Sequence, residues 1–281
     1  MLKRIITSLV ACCVLFPALI FSDTIFFPIC VAIVSLISLY EIFKCMGMEK
    51  KLYLSIPVYL FGIATPFLIR FKLLGTNMTY ALIAFIFATI YIIYLFTLVV
   101  WSHGKLVFGE VITLFTMCVY IIAAMASIIY VRDYGTIGKY IYLLIFLGAW
   151  ITDIFAYFTG FLFGKHKLIE DVSPKKTIEG SIGGIVFCAA SFVIFGLVVQ
   201  KVSGLEANLI FLAISGVVLS VVAQIGDLIM SVIKRHYGIK DYGIIFPGHG
   251  GMLDRFDSIS AVSVGLGAIC MFMTLTGITL L

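Results

Sequence analysis

Charge is scarce in this chain. Only 12% of its 281 residues are Asp, Glu, Lys or Arg, about half the share found in a typical water-soluble domain. That shortage excludes an ordinary soluble enzyme or binding module. Paired cysteines are missing as well. Cys12, Cys13, Cys30, Cys45, Cys118, Cys188 and Cys270 form no Cys-x-x-Cys, and all but Cys45 lie inside apolar runs. A disulfide framework is thereby excluded, and the thiols read as small buried hydrophobes. The chain also has no internal repeat, heptad or low-complexity tract.

What is abundant is hydrocarbon. Hydrophobic residues make up 63% of the chain, and the mean hydropathy is +1.20. The apolar residues fall in runs long enough to cross a bilayer, which takes about 20 helical residues. Nine such runs stand out, at 5–21, 24–43, 53–70, 79–100, 108–131, 140–163, 180–200, 208–233 and 258–281. The expected fold is all-α: a polytopic transmembrane helical bundle of about nine spans, with no separate soluble domain. Lys3 and Arg4 followed by apolar residues imitate a secretory signal. The core before Leu9 is too short for one, so the reading is a retained first span.

The basic residues orient the bundle. With the N-terminus in the cytoplasm and nine crossings, 14 of the 19 Lys and Arg residues fall on the cytoplasmic side and 5 on the far side. The positive-inside bias therefore predicts a cytoplasmic N-terminus. Both long polar loops, 164–179 and 234–257, then share the cytoplasmic face. The chain divides by content at 138. Residues 1–138 read as transmembrane scaffold, interrupted by Pro17, Pro28, Pro57 and Pro66, and residues 139–281 carry the chemistry.

Two carboxylates sit inside apolar runs. Asp153 lies in AWITDIFAYFTG and Asp227 in VVAQIGDLIMSVIKR. An acid at membrane depth is costly and usually faces a polar cavity or a partner. Asp227, Ser231 and Lys234 stand at i, i+4 and i+7, on one helix face that leads into a polar loop. Asp153 and Tyr157, followed by Gly160, Gly164 and Lys165-His166-Lys167, offer a second wall for the same cavity. Glu41 and Glu110 lie near span ends, where snorkelling to water suffices. His103 and His236 read as solvated or structural.

The densest polar stretch is Ser231–Asp257, SVIKRHYGIKDYGIIFPGHGGMLDRFD, with four basic residues, three acids, two histidines and five glycines. Bare carboxylates gather divalent metal, and Lys or Arg beside glycine backbone gather phosphate. Gly248, Gly250 and Gly251 would let backbone N–H groups approach phosphate oxygens. A helix starting near Gly251 would place Asp254 and Asp257 on one face. Upstream, Lys175 and Lys176 in SPKKTIEG offer two cations for a polyphosphate or for anionic headgroups. The Gly180–Gly184 cluster serves either close helix approach or a phosphate cradle.

These motifs carry a resemblance. Ser231-x-Ile233-Lys234-Arg235-x4-Lys240-Asp241-x-Gly243-x2-Phe246-Pro247-x-His249-Gly250-Gly251-Met252-x-Asp254-Arg255-Phe256-Asp257 resembles the signature of the phosphatidate cytidylyltransferases. Ser173-Pro-Lys-Lys-Thr-x-Glu-Gly180 and Asp153–Leu168 resemble that family too. The likeness covers roughly the last half of the chain, and residues 1–138 match only as hydrophobic spans. It implies a multi-pass, homodimeric enzyme of the cytoplasmic membrane, surrounded by membrane lipids and with its active site facing the cytoplasm. The partners implied are CTP and phosphatidate with Mg²⁺, and no nucleic acid. Asp227 and Asp254 match the acids expected to hold metal, with Asp241 or Asp257 as additional carboxylates. Lys234, Arg235, Lys240, Arg255 and His249 are expected on phosphates. Lys175, Lys176, Asp153, Ser231, Gly248, Gly250 and Gly251 are expected around the substrates. Related CTP-using lipid enzymes of the polyprenol kinase or CDP-archaeol synthase type are the nearest alternative. The Asp-Gly-x2-Ala-Arg opening of CDP-alcohol phosphotransferases is absent. An ion-coupled transporter fits poorly, because the polarity is one-sided and no repeat is visible.

Overall fold

The computed structural model describes residues 13–73 and 75–281 of the protein. Lys3, Arg4, Cys12 and the start of the first expected span lie outside the described residues, and positions 13–20 are helical. Helices then follow in order: α1 (Phe26–Cys45), α2 (Leu52–Arg70), α3 (Asn77–Trp101), α4 (Phe108–Arg132), α5 (Gly138–Ile141), α6 (Leu143–Phe163), α7 (Ile178–Ser203), α8 (Leu209–His236) and α9 (Leu253–Thr276). Among the described residues eight helical segments, α5 and α6 counting as one, are long and apolar enough to cross a membrane. Their outward residues, such as Phe85, Ile90, Val186, Ile194 and Ile210, are large, apolar and exposed. In water that surface would be untenable; in hydrocarbon it is solvated. The chain is a multi-pass membrane protein.

Two features depart from the sequence expectation. A small antiparallel hairpin, β1 (Lys167–Ile169) with β2 (Ser173–Thr177), interrupts the all-α pattern, pairing Lys167 with Thr177 and Ile169 with Ser173. The last span also sits at Leu253–Thr276 rather than 258–281, so Asp254 and Asp257 belong to its first turns. At its far end Gly277 takes φ +73°, and its N–H returns to the Met273 carbonyl at 2.9 Å. That left-handed stop, open to glycine without strain, ends the helix at Thr276.

The described chain forms two compact units. One takes in the described residues up to Ile129 together with Asp241–Asp254; the other comprises Tyr130–Lys240 and Arg255–Leu281. In the first, α1 packs on α2. In the second, α6 packs on α7 and α7 on α8. Small residues permit this: a Cβ at Gly183 would lie 2.6 Å from the Thr159 Cβ, and one at Gly216 would lie 2.7 Å from the Ala189 Cα. The glycine cluster after residue 179 therefore serves close helix approach. Thr152 on α6 donates to Ser220 Oγ on α8 at 2.8 Å, a buried bond that fixes the register of these spans.

Candidate active site

The second unit gathers acids from three helices. Asp153 comes from α6, Asp227 from α8 and Asp257 from α9, and the three lie within electrostatic range of one another. Ser258 joins two of them, its hydroxyl donating to Asp153 Oδ2 at 3.1 Å and its N–H to Asp257 Oδ1 at 2.9 Å. Cations answer these charges. Lys176, from β2, makes an ion pair with Asp227 Oδ2. Lys234 lies within range of Asp257, and Arg255 within range of Asp153. Lys234 is buried, two turns along α8 from Asp227. The face formed by Asp227, Ser231 and Lys234 is thus continuous helix, as the spacing predicts.

Beside the acids opens a cavity of about 580 Å³, within the size range of small-molecule sites. Asp153, Tyr157, Gly160, Gln224 and four lysines (Lys165, Lys167, Lys175 and Lys176) are among its lining residues. The hairpin presents three of those lysines. It is held at its base by Glu179, in the first turn of α7, whose carboxylate accepts from the Lys165 N–H at 3.1 Å and meets His166 Nδ1 at 2.6 Å. Lys167 Nζ donates to the Pro174 carbonyl at 2.5 Å, crossing the hairpin. Thr177 caps α7, its hydroxyl accepting from the Gly180 N–H at 3.1 Å. A cavity lined by four lysine ammonium groups and a carboxylate suits a polyphosphate. Lys165, Lys167 and Gln224 were not singled out as ligands from sequence; the hairpin that aims the lysines was the missing signal.

The glycine loop belongs to the first unit. Phe246 and Gly250 bridge across a tight turn, with Gly248 and Gly250 both at φ +84°. Four N–H groups at the ends of the loop are engaged by carboxylates. Asp254 Oδ2 accepts from Tyr242 N–H at 2.8 Å and Gly251 N–H at 2.9 Å. Glu41, from α1, accepts from Met252 N–H at 2.9 Å and Leu253 N–H at 2.8 Å. The expectation that Glu41 snorkels to water is therefore wrong: it is 1% exposed and bound to backbone at the start of α9. The close approach allowed at Gly250 and Gly251 is to Asp254 and Glu41, where a Cβ would collide. His249 is half-buried, and Lys240, Asp241, Gly248, Arg235 and Arg255 are exposed.

Hard carboxylate and hydroxyl oxygens are the donor chemistry a small divalent cation requires, and Asp227 already holds a positive charge in the form of the Lys176 ammonium. The acid cluster suits such a cation in chemistry and charge. Among the described residues no three His, Cys, Asp or Glu side chains converge as a ready metal-ligand set.

Comparison with known proteins decides the family. The sequence profile described as the cytidylyltransferase family matches residues 2–273. The chain belongs to the cytidylyltransferase family. Among its relatives, the phosphatidate cytidylyltransferase of Bacillus subtilis (strain 168) is 33% identical over 262 residues, 92% of this chain and 93% of the relative. The phosphatidate cytidylyltransferases of Staphylococcus epidermidis and Staphylococcus haemolyticus are 50% identical over 120 residues and 46% identical over 125. Those alignments cover 43% and 44% of this chain, and the chain spans a little under half the length of these two relatives, 45% and 46%. Membership extends over both units, including the helices before residue 138 whose sequence matched only as apolar spans.

Proposed function

We propose that this family member transfers the cytidylyl group of CTP to phosphatidate, giving CDP-diacylglycerol and pyrophosphate for phospholipid synthesis. The observation that carries the reading is the lysine-lined cavity of about 580 Å³ abutting the acid cluster. A phosphatidate oxygen attacks the α-phosphorus of CTP, a new P–O bond forms, and the bond to the β-phosphate oxygen breaks, releasing pyrophosphate. The nucleophile is already anionic near neutral pH, so no strong base is required. Alignment and charge neutralisation are what remain for the protein to supply.

Lys165, Lys167, Lys175 and Lys176 hold the triphosphate, and Lys234 and Arg255 balance the acids at the end of the cavity. Asp153 keeps Ser258 in place through its hydroxyl, and Ser258 in turn engages Asp257. In the first unit, Asp254 serves the Tyr242 and Gly251 N–H groups; Asp227 and Asp257 would hold Mg²⁺. Bound there, the ion would neutralise phosphate charge and the departing pyrophosphate. The site faces the cytoplasm, where CTP is made, and the lipid enters from the surrounding bilayer past the exposed rings of Tyr157 and Phe161.

The test is direct: purified protein in detergent with phosphatidate, CTP and Mg²⁺, followed for pyrophosphate release, with an EDTA control. Release that requires phosphatidate and is abolished by EDTA is expected. Release supported equally by a polyprenol, or by no lipid at all, would replace this reading with that of a different CTP-using enzyme.

A further inference from the structure

The first unit contains a buried acid that the transfer chemistry does not use. Glu41 stands in an apolar span, is 1% exposed, and is 211 and 212 residues distant in sequence from the two N–H groups it binds. Each of its oxygens takes one bond: Oε1 from Met252 at 2.9 Å, Oε2 from Leu253 at 2.8 Å. The loop is shaped around the carboxylate. A Cβ at Gly243 would come 3.0 Å from Glu41 Cδ, and one at Gly251 would come 2.6 Å from it. A charge so completely buried is costly unless something needs it there. Here it sits against the positive end of α9, where N–H groups have no helical partner.

We infer that Glu41 is a positioning residue for the transfer reaction: it anchors the Asp241–Asp254 segment and fixes where α9 begins. It touches no substrate. It acts through the helix start, because Arg255, Asp257 and Ser258 follow Leu253 within two turns. If the first turn of α9 shifts, those side chains shift with it. The inference rests on the proposed function for its catalytic readout, and on backbone geometry alone for its structural one.

The experiment compares full-length wild type with Glu41→Gln and with Leu39→Ala, a fully buried neighbour on the same helix that faces Gly62 of α2. Amide exchange is followed on peptides covering 243–254, and turnover is measured well below each melting temperature. Glu41→Gln is expected to speed exchange of that segment roughly tenfold or more. It should lower kcat roughly 10- to 100-fold through misalignment, with KM for CTP little changed, since the lysine cavity is built elsewhere. Leu39→Ala should lower the melting temperature while leaving segment exchange and kcat near wild type. Gly251→Ala, which presses on the same carboxylate, should reproduce the Glu41→Gln exchange pattern even where that variant inserts poorly. Unchanged exchange in Glu41→Gln, the same segment-specific loosening in Leu39→Ala, or a loosened segment with undiminished kcat would each overturn the inference. A wild-type protein inactive with CTP would sink the functional reading instead, and the exchange arm would still decide whether Glu41 anchors the loop.

Discussion

At the scale of single residues, the Lys176–Asp227 pair is the pivot. An ammonium on that carboxylate is a cation where the proposed reaction needs one, and both partners have work to do once nucleotide arrives. Replacing Lys176 with Gln removes a charged phosphate contact and should raise KM for CTP roughly 10- to 100-fold. Asp227→Asn should lower kcat/KM by a factor on the order of 100 or more, since it removes charge that must be in place as the pyrophosphate departs. Steady-state kinetics with CTP varied at saturating phosphatidate separate the two effects; equal, small losses in both variants would remove the pair from the mechanism. Asp153 and Asp227 were legible in the sequence because an acid inside an apolar run has few innocent explanations. Glu41 was not. Its position near a span end admitted snorkelling, and its partners are backbone groups more than 200 residues away that no spacing rule connects to it.

Among elements, contact between α6 and α7 sets the wall of the cavity, and it depends on glycine. A Cβ at Gly183 would lie 2.6 Å from the Cβ of Thr159, a β-branched neighbour that cannot swing aside. Gly183→Ala should destabilise the protein by about 1–3 kcal/mol, and Thr159→Ala in the same chain should restore part of that loss. Melting in detergent across the four-member cycle tests this, and simple additivity would show that the two sites do not meet. Sequence left open whether these glycines cradle phosphate or pack helices; packing is a property of two helices together and cannot be seen in one. The hairpin escaped for a related reason. Lys167–Ile169 and Ser173–Thr177 are short, polar and carry a proline, so neither has a strand pattern, and Glu179 supplies the closure from the next helix. The late placement of the last span came from beginning the apolar run after the charged Asp254 and Asp257, although Asp254 is the residue that closes the helix start onto Gly251.

For the whole molecule, hydropathy alone located seven spans to within three residues and the last to within five, because crossing hydrocarbon imposes a similar length and composition on every helix. It could not show that Asp241–Asp254 returns to the unit built by the first helices, a contact that local composition does not encode. Orientation is a further expectation. Two spans, α7 and α8, separate the hairpin tip at Glu170 from Gly238, so both should emerge on one face. Protease sites inserted after each should be cut in inside-out vesicles and protected in right-side-out ones; cleavage of one from each side would break the nine-span threading. The account's central claim is that the cytidylyl group, and not the terminal phosphate, moves to lipid. Incubating the purified protein with phosphatidate and CTP labelled at either the α- or the γ-phosphate, then counting the lipid phase, tests it most directly. The α-label should enter lipid and the γ-label should leave as pyrophosphate, both abolished in Asp227→Asn. Label from the γ-phosphate in the lipid would mean a kinase, and the site described here would have been read for the wrong reaction.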